Sequence, residues 1–240
     1  LKMCKLLYFL YKAQLLSPLK LYRLAAALNR YGINLMALLY FANRTYAHRI
    51  ALVDDHETLN YKQLFMQSLK LSTVLKERYQ LKRGYKVGLL CKNHASLVKS
   101  IFAVSLLGAD IHLLNAEMSS GQFNKLLESI DFNLLIYDDE LGSLIEASGY
   151  SKDKIMTYHN TLPAVNNLIY ADVNESLRIK RNSSSRIVLL TGGTTGNYKT
   201  AAHEPSLFNF LDPLLALCTK LKLFDLVMNT LDRGLRHLYS

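Results

Sequence analysis

Residues 191–200 read Thr-Gly-Gly-Thr-Thr-Gly-Asn-Tyr-Lys-Thr, behind the apolar run Ile187 to Leu190. Three glycines, three threonines and a lysine in nine residues after a strand-like run have the composition of a phosphate cradle. A polyphosphate concentrates several negative charges. Proteins hold it with backbone N–H groups of a glycine-rich turn, with hydroxyl donors and with a cation. Gly192, Gly193 and Gly196 allow close backbone approach. Thr191, Thr194 and Thr195 offer hydroxyls, and Lys199 offers a charge on a flexible stem that can follow a moving phosphate. The competing plain reading is a Gly/Thr-rich turn between two strands.

Two kinds of cradle are distinguishable. A Walker loop has the pattern G-x-x-x-x-G-K-[ST] and opens into a helix at its lysine. The stretch from Gly193 to Thr200 nearly fits, but Tyr198 stands where the second glycine belongs. Downstream, "KTAAH" reads as extended chain. Pro205 sits six residues after Lys199, which puts a helix start near Ser206. A strand at Lys199 would eliminate the Walker reading.

The other pattern fits better. Residues 191–200 resemble the phosphate-binding loop of the AMP-forming adenylating enzymes (acyl-CoA synthetases, peptide-synthetase adenylation domains, luciferases), roughly T-[SG]-G-[ST]-T-G-x-P-K-G. Thr191 to Gly196 and Lys199 match, while Tyr198 replaces the usual proline and Thr200 the usual glycine. "RIALVDDHETLNYKQL" resembles the family's opening hairpin and helix. "RGYKVGLLCKNHASLVKSIFAVSLLGADIHLLNAEMSSGQFNKLLESIDFNLLIYDDE" resembles its next strand and helix run. Within it, "LGADIHLLN" is most similar to the fatty-acid branch. The resemblance fades after about Phe224.

The resemblance implies a fatty acid–CoA ligase, or another AMP-forming carboxylate-activating ligase. A carboxylate attacks the α-phosphate of ATP with Mg2+, pyrophosphate leaves, and the thiol of CoA displaces AMP. Thr191, Gly192, Gly193, Thr194, Thr195 and Gly196 would cradle the β- and γ-phosphates, with Lys199 as the mobile catalytic cation. The family's aromatic–x–Thr–Glu phrase, ribose-binding aspartate and hinge are not found in the sequence. His237 lies near the expected distance of an acyl-pocket histidine, but its neighbours do not match. The expectation is an N-terminal portion of such a synthetase, which alone binds phosphate weakly and does not complete the reaction.

The elements that must position the loop are legible from periodicity. Helices are expected over residues 2–15 and 18–30, divided by Ser17-Pro18, with Gly32 ending the second and a third apolar segment running to about Asn43. Ile50 to Val53 and "TLNY" form a hairpin around "DDHE". Asn60 and Gln63 are spaced as a capping box for a helix that places Leu64, Leu71, Val74 and Leu75 on one side. A strand at Val87 to Cys91, a helix stopped by Gly108, a strand "DIHLLN", a helix capped by Ser119 or Ser120, and strands "FNLLIYDDE", "KIMTYHN" and "SRIVLLT" follow. This alternation predicts an α/β fold with a mixed or parallel sheet flanked by helices, part of the family's large N-terminal domain. Residues 174–185 read as linker-like.

Charge sets apart a basic amphipathic helical segment, 1–45, and the resemblance implies that 46–240 is a truncated AMP-binding N-terminal domain without the family's C-terminal domain. The net charge is +10. Eight basic residues (Lys2, Lys5, Lys12, Lys20, Arg23, Arg30, Arg44, Arg49) precede the first acidic one, Asp54. Interleaved with Leu, Tyr, Met and Ala, they read as amphipathic basic helices suited to an anionic membrane surface or a partner groove, or as core-packing helices whose lysines reach solvent. No apolar run approaches the roughly 18–20 residues that span a bilayer. No ladder of aromatics with interleaved arginine points to nucleic acid. Three scattered cysteines, Cys4, Cys91 and Cys218, point to a reducing, cytoplasmic setting, peripheral to the inner membrane surface if the basic helices bind it. His94 and His112 read as structural. Asp54, Asp55, Glu57, Asp138, Asp139 and Glu140 read as solvated turn residues rather than metal ligands.

Overall fold

The computed structural model describes residues 17–173, 179, 185–191 and 199–203. Its centre is a six-stranded sheet of β3 (Lys86–Leu90), β4 (Asp110–Leu113), β5 (Leu134–Tyr137), β6 (Asp153–Met156), β7 (Ile187–Thr191) and β8 (Lys199–His203), in the spatial order β6-β5-β3-β4-β7-β8. The first five are parallel and β8 runs antiparallel to β7. A separate antiparallel hairpin, β1 (Ile50–Val53) and β2 (Thr58–Asn60), precedes it.

Every residue of β4 and β5 is buried, as parallel strands covered on both faces require. Alternation sorts their side chains. Val87, Leu89, Ile111, Leu113, Leu134 and Ile136 join one apolar cluster, with Leu71, Leu75, Ile101 and Val104 of the overlying helices. Leu90, Leu135 and Tyr137 face the other, with Phe123, Leu126 and Phe132. Gly88, in the central strand, leaves room there: a Cβ would lie 2.5 Å from Leu135 Cδ2 and 3.4 Å from Phe132 Cδ1.

The helices α1 (Pro18–Tyr31), α2 (Leu35–Tyr46), α3 (Tyr61–Arg78), α4 (Ala95–Leu107) and α5 (Ser120–Ser129) begin where local chemistry supplies caps. Pro18 follows extended Ser17 at the start of α1. Asn34 accepts from the Ala37 N–H. Asn60 and Gln63 close the expected capping box, as do Ser119 and Gln122, so Ser119 rather than Ser120 is the cap. Gly108 ends α4 in the left-handed region, φ 73°. A 3-10 turn (Asp139–Leu141) and two short helices, α6 (Gly142–Ala147) and α7 (Val165–Leu168), complete the described elements.

The first two helices pack on the sheet's helical layer. Ala27, Tyr31, Met36, Ala37, Leu39 and Phe41 share a core with Leu64, Phe65, Ala95, Val98 and Leu106. The Leu35 N–H donates to Ser105 Oγ of α4 at 3.0 Å. The core-packing reading therefore holds for one face of α1 and for α2. The expected helix over residues 2–15, most of the linker-like stretch 174–185, the helix start near Ser206 and His237 lie outside the described residues. Among the described residues, no helix is long and apolar enough to cross a membrane.

Candidate phosphate site at the carboxyl edge of the sheet

Because β7 runs parallel to β4, Thr191 at its end lies at the strands' carboxyl edge. Open α/β sheets bind ligands at that edge, where backbone and side-chain donors of successive loops converge. Thr191 ends β7, Lys199 opens β8, and the two are register partners across the antiparallel pair. The motif is thus bracketed at both ends by hydrogen-bonded strand. Gly192, Gly193, Thr194, Thr195 and Gly196 lie outside the described residues. Residues 199–203 form a strand, not the first turn of a helix. That geometry eliminates the Walker reading.

The neighbouring loops of the same edge are tied together by one carboxylate. Asp138 directly follows β5. Its Oδ2 accepts from the Lys92 N–H at 2.7 Å, and its Oδ1 accepts from Thr157 Oγ1 and His94 Nε2, each at 2.7 Å. These partners lie beyond β3 and β6, so Asp138 joins the ends of three strands. His94 is the N-cap of α4, and its Nδ1 accepts from the Leu97 N–H at 3.2 Å. That acceptor role fixes the ring proton on Nε2, pointed at Asp138. Burial pushes the Asp138 carboxyl up, but the bonds from His94, Lys92 and Thr157 outweigh it and hold the pKa below the ordinary carboxylate value.

The hairpin turn docks beside this hub. Asp54 Oδ2 accepts from the Ala95 N–H at 2.5 Å, and Oδ1 accepts from the His56 and Glu57 N–H groups. Glu57 Oε1 meets the Lys99 ammonium at 2.5 Å, and the Lys99 side chain is 1% exposed. His56 stacks on Tyr158 with centroids 4.1 Å apart, and His94 meets the same ring edge-on. Burial pushes the Tyr158 hydroxyl up to about 12.

Two sequence expectations change here. Asp138 is buried, and Asp54 and Glu57 are half-buried anchors; only Asp55, Asp139 and Glu140 fit solvated turn residues. They differ because Asp138 terminates a fully buried strand, while the turn of Asp54 and Glu57 faces the α4 N-terminus. Among the described residues, no group of three or more His, Cys, Asp or Glu is disposed to hold a metal. His94 is a cap. His112 is buried, and burial pushes its pKa down to about 4, so it sits neutral against Phe132. The sequence reading missed both Lys99 and Asp138; the signals it passed over are a single lysine inside the apolar stretch "SLVKSIFAVSLL" and a carboxylate directly after an all-apolar strand.

The sequence profile of the family described as AMP-binding enzyme matches residues 40–226, most of the chain. This chain belongs to the AMP-binding enzyme family. Its members' loop pattern is therefore the frame in which Thr191 to Lys199 are read, and the match ends close to Phe224, where the sequence resemblance fades. The chain is 30% identical over 91 residues to the 2-succinylbenzoate–CoA ligase of Bacillus velezensis, covering 38% of this chain and 19% of that protein. It is 27% identical over 163 residues to the mitochondrial malonate–CoA ligase of Bos taurus, covering 64% and 27%. The chain thus spans less than a third of these curated relatives. Its fold matches the crystal structure of an anthranilate CoA ligase in complex with anthranoyl-AMP, with a TM-score of 0.64 at 21% identity, over 77% of this chain and 36% of that one.

Proposed function

We propose that this chain carries the polyphosphate-handling element of an AMP-forming carboxylate–CoA ligase. The observation that supports this reading most is the pairing of Thr191 with Lys199, which puts the two residues that flank the Gly/Thr segment side by side at the sheet's carboxyl edge. In this reading a carboxylate oxygen attacks the α-phosphate of ATP, the bond to the bridging oxygen breaks, and pyrophosphate leaves. Loop N–H groups, the hydroxyls of Thr191, Thr194 and Thr195, and the Lys199 ammonium stabilise the charge that grows on the leaving group. The CoA thiol then displaces AMP. Mg2+, when bound, would neutralise phosphate charge.

The acyl group is proposed to be an aromatic or short dicarboxylic acid of the 2-succinylbenzoate kind, supported by the relatives named above. A fatty acid is the second reading, and it rests on "LGADIHLLN". In the fold that phrase supplies the Gly108 cap and strand β4, whose Asp110 pairs with Arg186 at 2.8 Å. These are positioning roles, which supports reading it as fold rather than acyl preference. The scattered cysteines support a cytoplasmic setting, and contact of residues 1–45 with a membrane surface is a separate proposal.

Carboxylate-dependent exchange of labelled pyrophosphate into ATP, measured on the protein as the cell makes it, tests this reading. Exchange is expected with 2-succinylbenzoate and to exceed that with a long-chain fatty acid. Lys199→Ala is expected to lower it at least about 100-fold. Cleavage of ATP to ADP and phosphate, without carboxylate dependence, would overturn the proposal.

A further inference from the structure

Helix α1 buries one side, and among the described residues the other side meets no partner. Ala27 and Tyr31 are buried and Leu24 and Leu28 pack against the same core. At about 100° per residue, Leu19, Tyr22, Ala25, Ala26, Asn29 and Arg30 fall on the opposite side and are exposed, with the partly exposed Arg23 at its margin. Leu19 is 57% exposed and Tyr22 71% exposed, one turn apart. Large apolar side chains so exposed, flanked by arginines, do not serve the core.

Charge supplies the partner's chemistry. Lys20, Arg23, Arg30, Arg44 and Arg49 are the described basic residues ahead of Asp54, and none takes part in the five ion pairs found among the described residues. Lys20 and Arg49 instead lie over the Tyr46 ring, and Arg30 over Tyr31 and Tyr40. Rings leave their formal charge unneutralised. Lys2, Lys5 and Lys12 add to it in sequence, with no carboxylate before Asp54. An exposed apolar stripe among cations that have no ion-pair partner among the described residues is complementary to an anionic lipid surface, where apolar side chains enter the interface and cations meet headgroups.

We infer that the outer face of α1, through Leu19, Tyr22, Arg23 and Arg30, docks the protein on an anionic membrane surface. This stands independently of the ligase reading. The test is flotation of the full 240-residue chain with vesicles of phosphatidylcholine alone or mixed with phosphatidylserine. Binding is expected only with the mixed vesicles and to fall steeply at high salt. Arg23→Gln/Arg30→Gln is expected to lower the partition coefficient roughly 30-fold, while Arg23→Lys/Arg30→Lys keeps it. Leu19→Ser/Tyr22→Ser, at exposed positions that leave the fold intact, is expected to lose most binding at unchanged charge. Equal binding to neutral vesicles, no effect of either loss variant, or capture by heparin or an acidic protein without vesicle binding would overturn the proposal.

Discussion

Glu57→Ala is expected to destabilise the fold by about 3–5 kcal/mol, because it strands a buried cation. Lys99 sits on α4 with its side chain 1% exposed, and the Glu57 carboxylate at 2.5 Å is its one ion-pair partner among the described residues. Glu57 itself is partly open to water, so losing its own packing costs little. The penalty comes from an ammonium that has neither solvent nor counter-charge. A second variant isolates this cause. Lys99→Met removes the charge at similar volume, and in that background Glu57→Ala should cost less than about 1 kcal/mol, because no buried charge is left behind. Urea unfolding of the two single variants and the double variant measures the coupling. Equal costs of Glu57→Ala with and without Lys99 would show that the pair does not hold the hairpin to α4.

Asp138→Ala is expected to cost about 3–4 kcal/mol, since one carboxylate serves three donors from two other loops. Its removal leaves the Lys92 N–H, the His94 Nε2–H and the Thr157 hydroxyl without their acceptor. Asp138→Asn should cost less: its oxygen still accepts from His94 and Thr157, but its amide faces the Lys92 N–H donor to donor. The pH dependence identifies the charge. The folded-state pKa lies below the ordinary 3.8, so this carboxylate's contribution is complete above that value and is lost as pH falls through the folded value. The stability gap between wild type and Asp138→Asn should therefore close at the acid end. His112 acts in another window. Held neutral with a pKa of about 4, its site contributes fully above the ordinary value of 6.5, and the contribution declines as pH falls from there towards 4. Unfolding curves across both windows separate the groups. A gap for Asp138→Asn that stays constant to the lowest pH would contradict the charged hub.

The sequence carried those parts of the fold whose causes are local. Asn60–Gln63 and Ser119–Gln122 form caps within four residues, Gly108 ends a helix through its own backbone, and Leu71, Val74 and Leu75 repeat with the helix period. The strand at Lys199 was legible as well, because Pro205 and "KTAAH" oppose a helix there. What escaped depends on contacts distant in sequence. Asp138 meets His94 across 44 residues and Glu57 meets Lys99 across 42. A turn sequence alone cannot distinguish such an anchor from a solvated carboxylate. The packing of α1 and α2 against α3 and α4 was ambiguous for a related reason: an amphipathic basic helix has the same periodicity against a core or a membrane, and α1 presents both faces. The proposed phosphate loop rests on composition, since glycines, hydroxyls and a lysine must lie close together to hold a polyphosphate.

The central claim, that the segment between Thr191 and Lys199 clamps the β- and γ-phosphates, is tested most directly by titrating the 240-residue chain with pyrophosphate, ATP and AMP while following its Tm. A ligand that binds only the folded state stabilises it by RT ln(1 + [L]/Kd), so Tm rises with ligand concentration. Pyrophosphate and ATP are predicted to raise it, AMP to leave it unchanged, and Lys199→Ala to remove most of the rise without lowering the Tm of the free chain. A rise with AMP equal to that with ATP, or an undiminished response in Lys199→Ala, would contradict the assignment.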